Sequence, residues 1–169
     1  MDLHGRLVSL RPIEPADAPI LAEILAEPAV ARWWGTFDVE RVRRDLTAGD
    51  SDEEGFAIEH EGAVVGYIQA VEEREPDFRH AGIDLFLRTS AQGRGLGPDA
   101  IRTLAAHLID DRGHHRMTID PAAANEHAIS AYARLGFRPI GIMRQYQRIA
   151  DGTWIDALLM DLLAPELVR

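Results

Sequence analysis

The chain has 169 residues, of which 46% are hydrophobic, and it carries a formal net charge of −10 and no cysteine. The missing cysteines exclude disulfides and thiolate metal sites, the acidic balance disfavours nucleic acid as a partner, and no apolar run is long enough to span a membrane. Acidity is also compatible with a cationic substrate steered by the field, or with solubility alone. We expect residues 1–169 to form one domain with a buried core, and residues 1–5 show no signal-like start, which favours a cytoplasmic location.

Periodicity and turn residues predict alternating strands and helices along the chain. In chain order we expect a strand at 7–11, helices at 15–26 and 38–48, a polar connection at 50–54, strands at 56–60, 63–71 and 80–87, a helix at 100–109, a strand at 116–120, a helix at 126–135, and strands at 139–149 and 153–163. Glu61-Gly62 and Asp151-Gly152 favour hairpin turns between the strands on either side. This order predicts an α/β fold, with a mixed sheet and helices on both faces.

Several charged groups are expected at the surface rather than in a site. Residues 72–77 indicate an acidic loop, and its glutamates Glu72, Glu73 and Glu75 are expected to be solvated. His114 and His115 are also expected to be exposed. The seven histidines show no metal-ligand spacing on a helix, so the sequence predicts no metal site.

A glycine-rich stretch, Gln92-Gly93-Arg94-Gly95-Leu96-Gly97, lies between an apolar strand and a helix-like run. The first turn of a helix has free N–H groups and the positive end of the macrodipole, and both attract anions. Glycines let the backbone approach a phosphate without a Cβ in the way, and Pro98 suits the first turn because its missing N–H costs nothing. The stretch therefore predicts a pyrophosphate cradle.

A second pattern follows at a fixed spacing, Asn125-x-x-Ala128-x-x-x-Tyr132-x-x-x-Gly136-Phe137. Together the two patterns resemble those of the GCN5-related N-acetyltransferase (GNAT) superfamily, whose members bind acyl-CoA. The resemblance implies a mostly antiparallel central sheet, acetyl-CoA as cofactor, and a helix after Asn125 that lines the pantetheine and thioester. The cofactor-binding residues that it implies are Phe86, Leu87, Arg88, Gln92, Gly93, Arg94, Gly95, Leu96, Gly97, Pro98, Asn125 and Tyr132.

A closer resemblance is to the aminoglycoside 6′-N-acetyltransferase group. It rests on Trp33-Trp34-Gly35, Gly82-Ile83-Asp84, Asp120-Pro121 and the two patterns above. It implies that a pocket for a small polycationic amine is lined by Trp33, Trp34, Asp84, Asp120 and Asp151. Adjacent residues of a strand face opposite sides, so one of the two tryptophans is expected to line a cleft. The chain departs from that group at residues 72–78, a shorter segment without tryptophan, which indicates a smaller or different acceptor pocket.

Tyr132 and Asp84 are the candidate catalytic residues. A hydroxyl that faces the thioester can donate a proton to the leaving sulfur, which makes Tyr132 the candidate acid, although its spacing alone also fits a packing residue. Asp84 lies in the middle of an apolar strand, where a carboxylate is costly unless it is paired or functional. It is a candidate base, a cation anchor that passes a proton on through water, or a carboxylate satisfied by the backbone or by Arg79.

Asp120 and Asn125 each have a structural role as the alternative to ligand binding. For Asp120 this role is a loop cap, and for Asn125 it is the cap of the following helix. If Asp84 and Asp120 share a pocket, repulsion raises one of their pKa values unless a cation lies between them.

The sequence leaves the acceptor open. The first choice is transfer of an acetyl group from acetyl-CoA to a primary amine of a small polycation, with an aminoglycoside as the leading candidate. The alternatives are a siderophore hydroxylamine and a protein N-terminal amine, the latter because residues 6–12 with Asp17 also resemble the opening of ribosomal-protein N-acetyltransferases. A different class is a non-catalytic acyl-CoA-binding module. No residue demands an oligomer, so a monomer and a homodimer both fit the sequence.

Overall fold

The computed structural model describes residues 1–49 and 51–169. Within this part of the chain, eight strands form one sheet and five helices accompany it. The strands are β1 (Leu3–His4), β2 (Ser9–Pro12), β3 (Glu53–His60), β4 (Ala63–Glu73), β5 (His80–Leu87), β6 (Arg116–Ile119), β7 (Arg138–Arg148) and β8 (Trp154–Leu163). The helices are α1 (Ala18–Leu25), α2 (Pro28–Trp34), α3 (Val39–Asp45), α4 (Leu96–Asp110) and α5 (Glu126–Leu135). None of the helices in these residues has the length and apolar character needed to cross a membrane.

The sheet has the order β1-β2-β3-β4-β5-β6-β8-β7, and neighbouring strands are antiparallel except for β5 and β6. The parallel pairing of β5 with β6 is short. It consists of two residue pairs, Ala81 with Met117 and Gly82 with Thr118. The carboxyl ends of β5 and β6 lie beyond the paired residues. Ligands of α/β sheets bind outside the carboxyl ends of parallel strands, so this point of the sheet is the expected place for a site.

The helices cover both faces of the sheet, as the sequence predicts. Successive side chains of a strand point to opposite faces. Tyr67 and Phe86 are accordingly buried against the group formed by α1, α2 and α3. Ile68 of β4 and Ile83 of β5 are buried on the other face with Leu104 of α4. The mixed, mostly antiparallel sheet between two helical layers confirms the predicted fold class.

Two helix caps that the sequence predicts are present. The side chain of Asp38 accepts a hydrogen bond from the Arg41 N–H at 2.7 Å and begins α3. The side chain of Asn125 accepts from the Ala128 N–H at 3.2 Å and begins α5. Gly136 ends α5 in the left-handed region with a φ of 109°, a conformation that a residue with a Cβ adopts only at a cost.

The two adjacent tryptophans lie on a helix, and the expectation based on strand geometry is wrong. The helix α2 begins at Pro28 and ends before Gly35, whose φ is 82°. Adjacent residues of a helix are roughly 100° apart, so both rings can turn toward the same side. Trp33 and Trp34 are both half-buried.

Glu72 and His114 are buried, contrary to the expectation that both are exposed. The strand β4 runs on to Glu73, which places Glu72 within the sheet. His114 Nε2 lies 3.1 Å from one carboxylate oxygen of Glu72, and Arg112 donates to the other at 2.5 Å.

The neighbouring Glu73, Glu75 and His115 are exposed as expected. In the predicted connection at 50–54, Asp50 lies outside the described residues, and Glu53 already begins β3.

Candidate active site

Two cavities of about 330 Å³ each open side by side at the carboxyl ends of β5 and β6. The acidic cavity is lined among others by Asp84, Asp120, Pro121, Ala122, Tyr146 and Gln147. The glycine-loop cavity is lined among others by Phe86, Leu87, Gln92, Gly93, Gly95, Gly97, Pro98, His127 and Arg134. The residues that line both are Trp33, Trp34, Leu85, Asn125, Ala128 and Tyr132. A molecule in one cavity therefore meets a molecule in the other at α2 and α5.

The topology of the sheet brings the two aspartates together. Asp84 lies on β5 past the last residue paired with β6, and Asp120 directly follows β6. On its other side Asp84 is paired in register with Gln69 of β4. Arg79, the arginine that the sequence offers as a partner for Asp84, donates instead to the carbonyl oxygens of Arg112 and Gly113.

Asp84 is exposed to the acidic cavity, but the cavity itself lies among many protein atoms, so the carboxylate is poorly solvated. This burial raises the pKa of Asp84 to about 7, and the negative charge of Asp120 adds to the shift. Burial also raises the pKa of Asp120, although a hydrogen bond from the Tyr146 hydroxyl opposes the rise. Near neutral pH the cavity therefore holds one or two negative charges in a poorly solvated place, which a bound cation would stabilise.

Tyr132 lies on α5 where the two cavities meet. Burial raises the pKa of Tyr132 to about 12, with further contributions from the charges of Asp84 and Asp120. The phenol consequently keeps its proton at neutral pH. Its ring packs against the hydrophobic core and lies 6.4 Å from the ring of Phe137, so packing and a chemical role coexist in this side chain.

The glycine stretch forms a turn that leads directly into α4. Gly93 and Gly95 have φ values of 72° and 80°, and a Cβ on Gly93 would meet no atom within 4 Å. The N–H groups of Leu96 and Gly97 stand in the first turn of α4, where no helical carbonyl precedes them. Open backbone, free N–H groups and the helix dipole together form a place for a phosphate group.

Asp99, the acidic residue in the first turn of α4, makes its hydrogen bonds away from the glycine turn. Asp99 is buried and accepts hydrogen bonds from the N–H groups of Leu7 and Val8 at 2.7 and 3.2 Å. Arg102 lies 2.8 Å from its other oxygen and compensates its charge. The carboxylate of Asp99 thus ties residues 7–8, just before β2, to α4 and leaves the glycine turn open to an anion.

Some residues that the sequence proposes for the cofactor do not line the glycine-loop cavity. The side chain of Leu96 belongs to the hydrophobic core, so it offers a ligand only its backbone. The guanidinium of Arg94 lies 3.3 Å from His60, on the outer side of the glycine turn. Arg88 lies 3.6 Å from Glu23, while its Nε and Nη2 atoms are buried and have no hydrogen-bond partner in the described residues.

Asp151 is the one proposed substrate-binding residue that does not line the acidic cavity. It is exposed in the turn between β7 and β8, where its carboxylate accepts from the Thr153 N–H at 2.8 Å. The hydrogen bond stabilises the hairpin turn, which explains the residue without a ligand.

Four polar lining residues escape the sequence-based prediction. Tyr146 and Gln147 reach the acidic cavity from β7, and His127 and Arg134 reach the glycine-loop cavity from α5. His127 and Arg134 are seven residues apart and so lie on one face of α5, which offers a weak signal. No local pattern distinguishes Tyr146 and Gln147 from other residues of a polar edge strand.

The comparison with known protein families decides the assignment. Residues 7–138 match the model of the acetyltransferase (GNAT) domain. The chain belongs to the GNAT acetyltransferase family. It is 28% identical over 153 residues to aminoglycoside N(6′)-acetyltransferase type 1 of Klebsiella pneumoniae, covering 79% of this chain and 75% of that one.

Solved structures extend the similarity to the whole fold. RimJ of Mycobacterium smegmatis in complex with CoA-disulfide is 25% identical, with a TM-score of 0.86 and coverage of 100% of this chain and 88% of that one. AAC(6′)-Ib in complex with paromomycin and acetyl-CoA is 26% identical, with a TM-score of 0.79 and coverage of 96% and 98%. This GNAT domain is therefore an N-acetyltransferase that uses acetyl-CoA.

Proposed function

We propose that this GNAT enzyme transfers an acetyl group from acetyl-CoA to a primary amine of a small polycation, with the 6′-amine of an aminoglycoside as the leading acceptor. The observation that carries the proposal is the acidic cavity. Asp84 and Asp120 share a space of about 330 Å³ that is flanked by two tryptophans and opens onto Tyr132. Two carboxylates hold ammonium groups, and tryptophan rings pack against sugar faces or cations. The named aminoglycoside relatives support the same choice.

The glycine-loop cavity suits acetyl-CoA. The turn through Gly93 and Gly95 and the N-terminus of α4 would hold the pyrophosphate, and Arg134 adds a positive charge to the same cavity. When bound, acetyl-CoA supplies an activated acetyl thioester. Leu85, Asn125 and Tyr132, which line both cavities, would then border the reacting carbonyl.

The residues that line the acidic cavity have different roles toward the amine. Asp120, in contact with Tyr146, binds one ammonium group of the acceptor. Asp84, with a pKa of about 7, binds the reacting ammonium and accepts its proton directly or through water. Tyr132, whose raised pKa keeps it protonated at neutral pH, would hold its proton at the departing sulfur and regain one from solvent after each transfer.

An acceptor panel tests the proposal. Release of free thiol from acetyl-CoA is measured with kanamycin-type aminoglycosides, with a linear polyamine, and with peptides that present a free N-terminus. We expect turnover with the aminoglycosides, and mass spectrometry of the product should find one acetyl group on the 6′-amine. Turnover with peptides alone would favour the protein N-terminal alternative, and turnover with the polyamine alone would replace the aminoglycoside by a linear acceptor.

Variants of the two catalytic candidates separate an enzyme from a binding module. We expect Tyr132→Phe to lower kcat by about a hundredfold or more, because general acid catalysis contributes that much. Asp84→Asn should lower kcat/KM by a similar factor. Binding of CoA, measured by calorimetry, should stay unchanged in both variants. If neither variant loses rate with the best acceptor of the panel, the assigned roles are wrong.

A further inference from the structure

The edge strand β7 departs from regular pairing at one place. Met143 pairs with Ala157 and Gln147 with Ile155, so residues 144–146 of β7 lie opposite Asp156 alone. Gln145, in the middle, has a φ of 46°, which places a residue with a Cβ in the left-handed region. Such a bulge bends a strand and redirects its side chains, and bulges are common next to active sites. We call residues 144–146 the β7 bulge.

Asp156 on β8 holds this bulge and the loop that carries Asp120. Its Oδ1 accepts a hydrogen bond from the Gln145 N–H at 2.8 Å, which compensates the unfavourable backbone conformation there. Its backbone carbonyl accepts from the Ala123 N–H at 2.9 Å. The next residue, Ala157, bridges to Ala122. One residue of β8 therefore fixes both sides of the acidic cavity relative to each other.

The β7 bulge determines the direction in which two side chains point. In a regular strand Tyr146 and Gln147 would point to opposite faces, but both line the acidic cavity. The Tyr146 hydroxyl donates to Asp120. Gln147 Nε2 donates to the carbonyl oxygen of Trp33 at 2.5 Å and so connects β7 to the end of α2. The edge strand thus joins the acidic residue of one wall to the tryptophans of the other.

We propose that the β7 bulge is the element that positions the acceptor, with Asp156 as the positioning residue that sets Tyr146 on Asp120 and Gln147 on α2. The inference rests on the proposed function, because it takes Asp120 to bind an ammonium group of the acceptor. It adds to that function a determinant of acceptor affinity that has no contact with the cofactor cavity. Asp156 acts through the backbone of Gln145, so it is needed for its oxygen and not for its charge.

Kinetics with the best acceptor of the panel test the role of Asp156. We expect Asp156→Ala to raise the KM of the acceptor about tenfold, the worth of one hydrogen bond to a charged group, while the KM of acetyl-CoA stays unchanged. Asp156→Asn, which keeps an oxygen at the same position, should retain the wild-type acceptor KM. Asp156→Ala combined with Gln145→Gly should recover most of the loss, because glycine adopts a positive φ without help. Asp77→Ala in an exposed loop is the control for loss of one surface carboxylate.

A second measurement does not need turnover. Asp120 is faced by Asp84 of β5, Tyr132 of α5 and Tyr146 of β7, and its pKa can be followed by carboxyl-carbon NMR. We expect the pKa of Asp120 to rise in Tyr146→Phe, which removes a single oxygen and keeps the backbone, and to rise equally in Asp156→Ala.

An unchanged pKa of Asp120 in Tyr146→Phe would overturn the proposal, as would an unchanged acceptor KM in Asp156→Ala. If no amine is a substrate, the proposed function fails, and the NMR result alone decides whether the bulge sets Tyr146 on Asp120.

Discussion

At the scale of single residues, Asp84 must be ionised to bind and deprotonate the ammonium, yet its surroundings disfavour the ionised form. Burial first, and then the charge of Asp120, raise its pKa to about 7. We expect kcat/KM for the acceptor to rise with pH through about this value, because only the carboxylate holds the ammonium and takes its proton. Asp120→Asn removes one cause of the shift and should move the midpoint to lower pH. Titration of the acceptor itself is common to both proteins, so a midpoint that does not move would contradict the coupling.

The same raised pKa has a consequence for stability. The folded protein keeps the Asp84 proton over a range in which the unfolded chain has already released it, so folding loses stability as pH rises from about 4 to about 7. We therefore expect Asp84→Asn to raise the Tm at about pH 8 and to raise it less at about pH 5. Asp77→Asn, in an exposed loop, should raise neither. A gain of equal size at both values of pH would mean that the charge of Asp84 costs the fold nothing.

At the scale of elements, the stability of the turn before α4 depends more on Gly95 than on Gly97. Gly95 has a φ of 80°, whereas a Cβ on Gly97 would make only ordinary contacts of 3.4 Å or more with Leu87 and Leu85. Gly95→Ala should lower the free energy of unfolding by roughly 1–2 kcal/mol, the cost of a left-handed residue, and should weaken CoA binding. Gly97→Ala should leave stability unchanged or slightly higher. Urea unfolding and calorimetry check both, and equal losses would show that backbone conformation is not the cause.

The end of β4 and the connection between α4 and β6 are joined by Glu72 and His114. Burial has the largest effect on His114 and lowers its pKa, while the hydrogen bond with Glu72 opposes this shift. Below about pH 6.5 the imidazole therefore takes up a proton in the unfolded chain more readily than in the folded protein. The pKa of Glu72 is also lowered, because its hydrogen bond with His114 and the charge of Arg112 outweigh its burial. Both shifts predict that stability falls with falling pH, first through His114.

A glutamine at position 114 offers an amide donor in place of the imidazole and does not titrate. We expect His114→Gln to lose less free energy of unfolding than the wild type between about pH 7 and about pH 5. Urea unfolding at both values measures the difference. An identical loss in the two proteins would assign the acid sensitivity to other residues.

The elements that the sequence predicts well are those with local signals. The caps Asp38 and Asn125, the glycine turn and Gly136 each act on residues within one helical turn, and the structure has all of them. The pair Glu72 and His114 is 42 residues apart, and neither residue carries a sign of the other. The β7 bulge likewise depends on β8 and has no composition of its own.

The same distinction holds within the candidate site. Asp84, Asp120 and both tryptophans line one cavity as the family resemblance suggests. Tyr146 and Gln147 enter it only because long-range pairing bends their strand. Asp151 is the converse case, since it belongs to a strong local turn signal, Asp-Gly, and its carboxylate accepts a hydrogen bond within that turn.

At the scale of the whole molecule, two cavities of opposite character meet near the carboxyl end of β5. One presents carboxylates for a cation, and the other presents a helix N-terminus and Arg134 for an anion. Tyr132 stands between them. The net charge of −10 favours the approach of the cation and opposes that of the anion. The glycine turn must therefore attract CoA locally against the field of the whole protein.

This difference makes ionic strength a test of how the acceptor finds the enzyme. Raising the salt concentration from about 20 mM to about 300 mM shortens the Debye length from about 20 Å to about 6 Å. We expect kcat/KM for a polycationic acceptor to fall by roughly tenfold over this range, because the field of a protein with a net charge of −10 then no longer reaches it. A monoamine acceptor gains less from the field and should lose correspondingly less. The KM of acetyl-CoA should stay level or decrease, since salt also screens the repulsion that the anion meets. An equal fall for both acceptors would show that the acidic surface contributes nothing to capture and that its role is confined to the two carboxylates of the cavity.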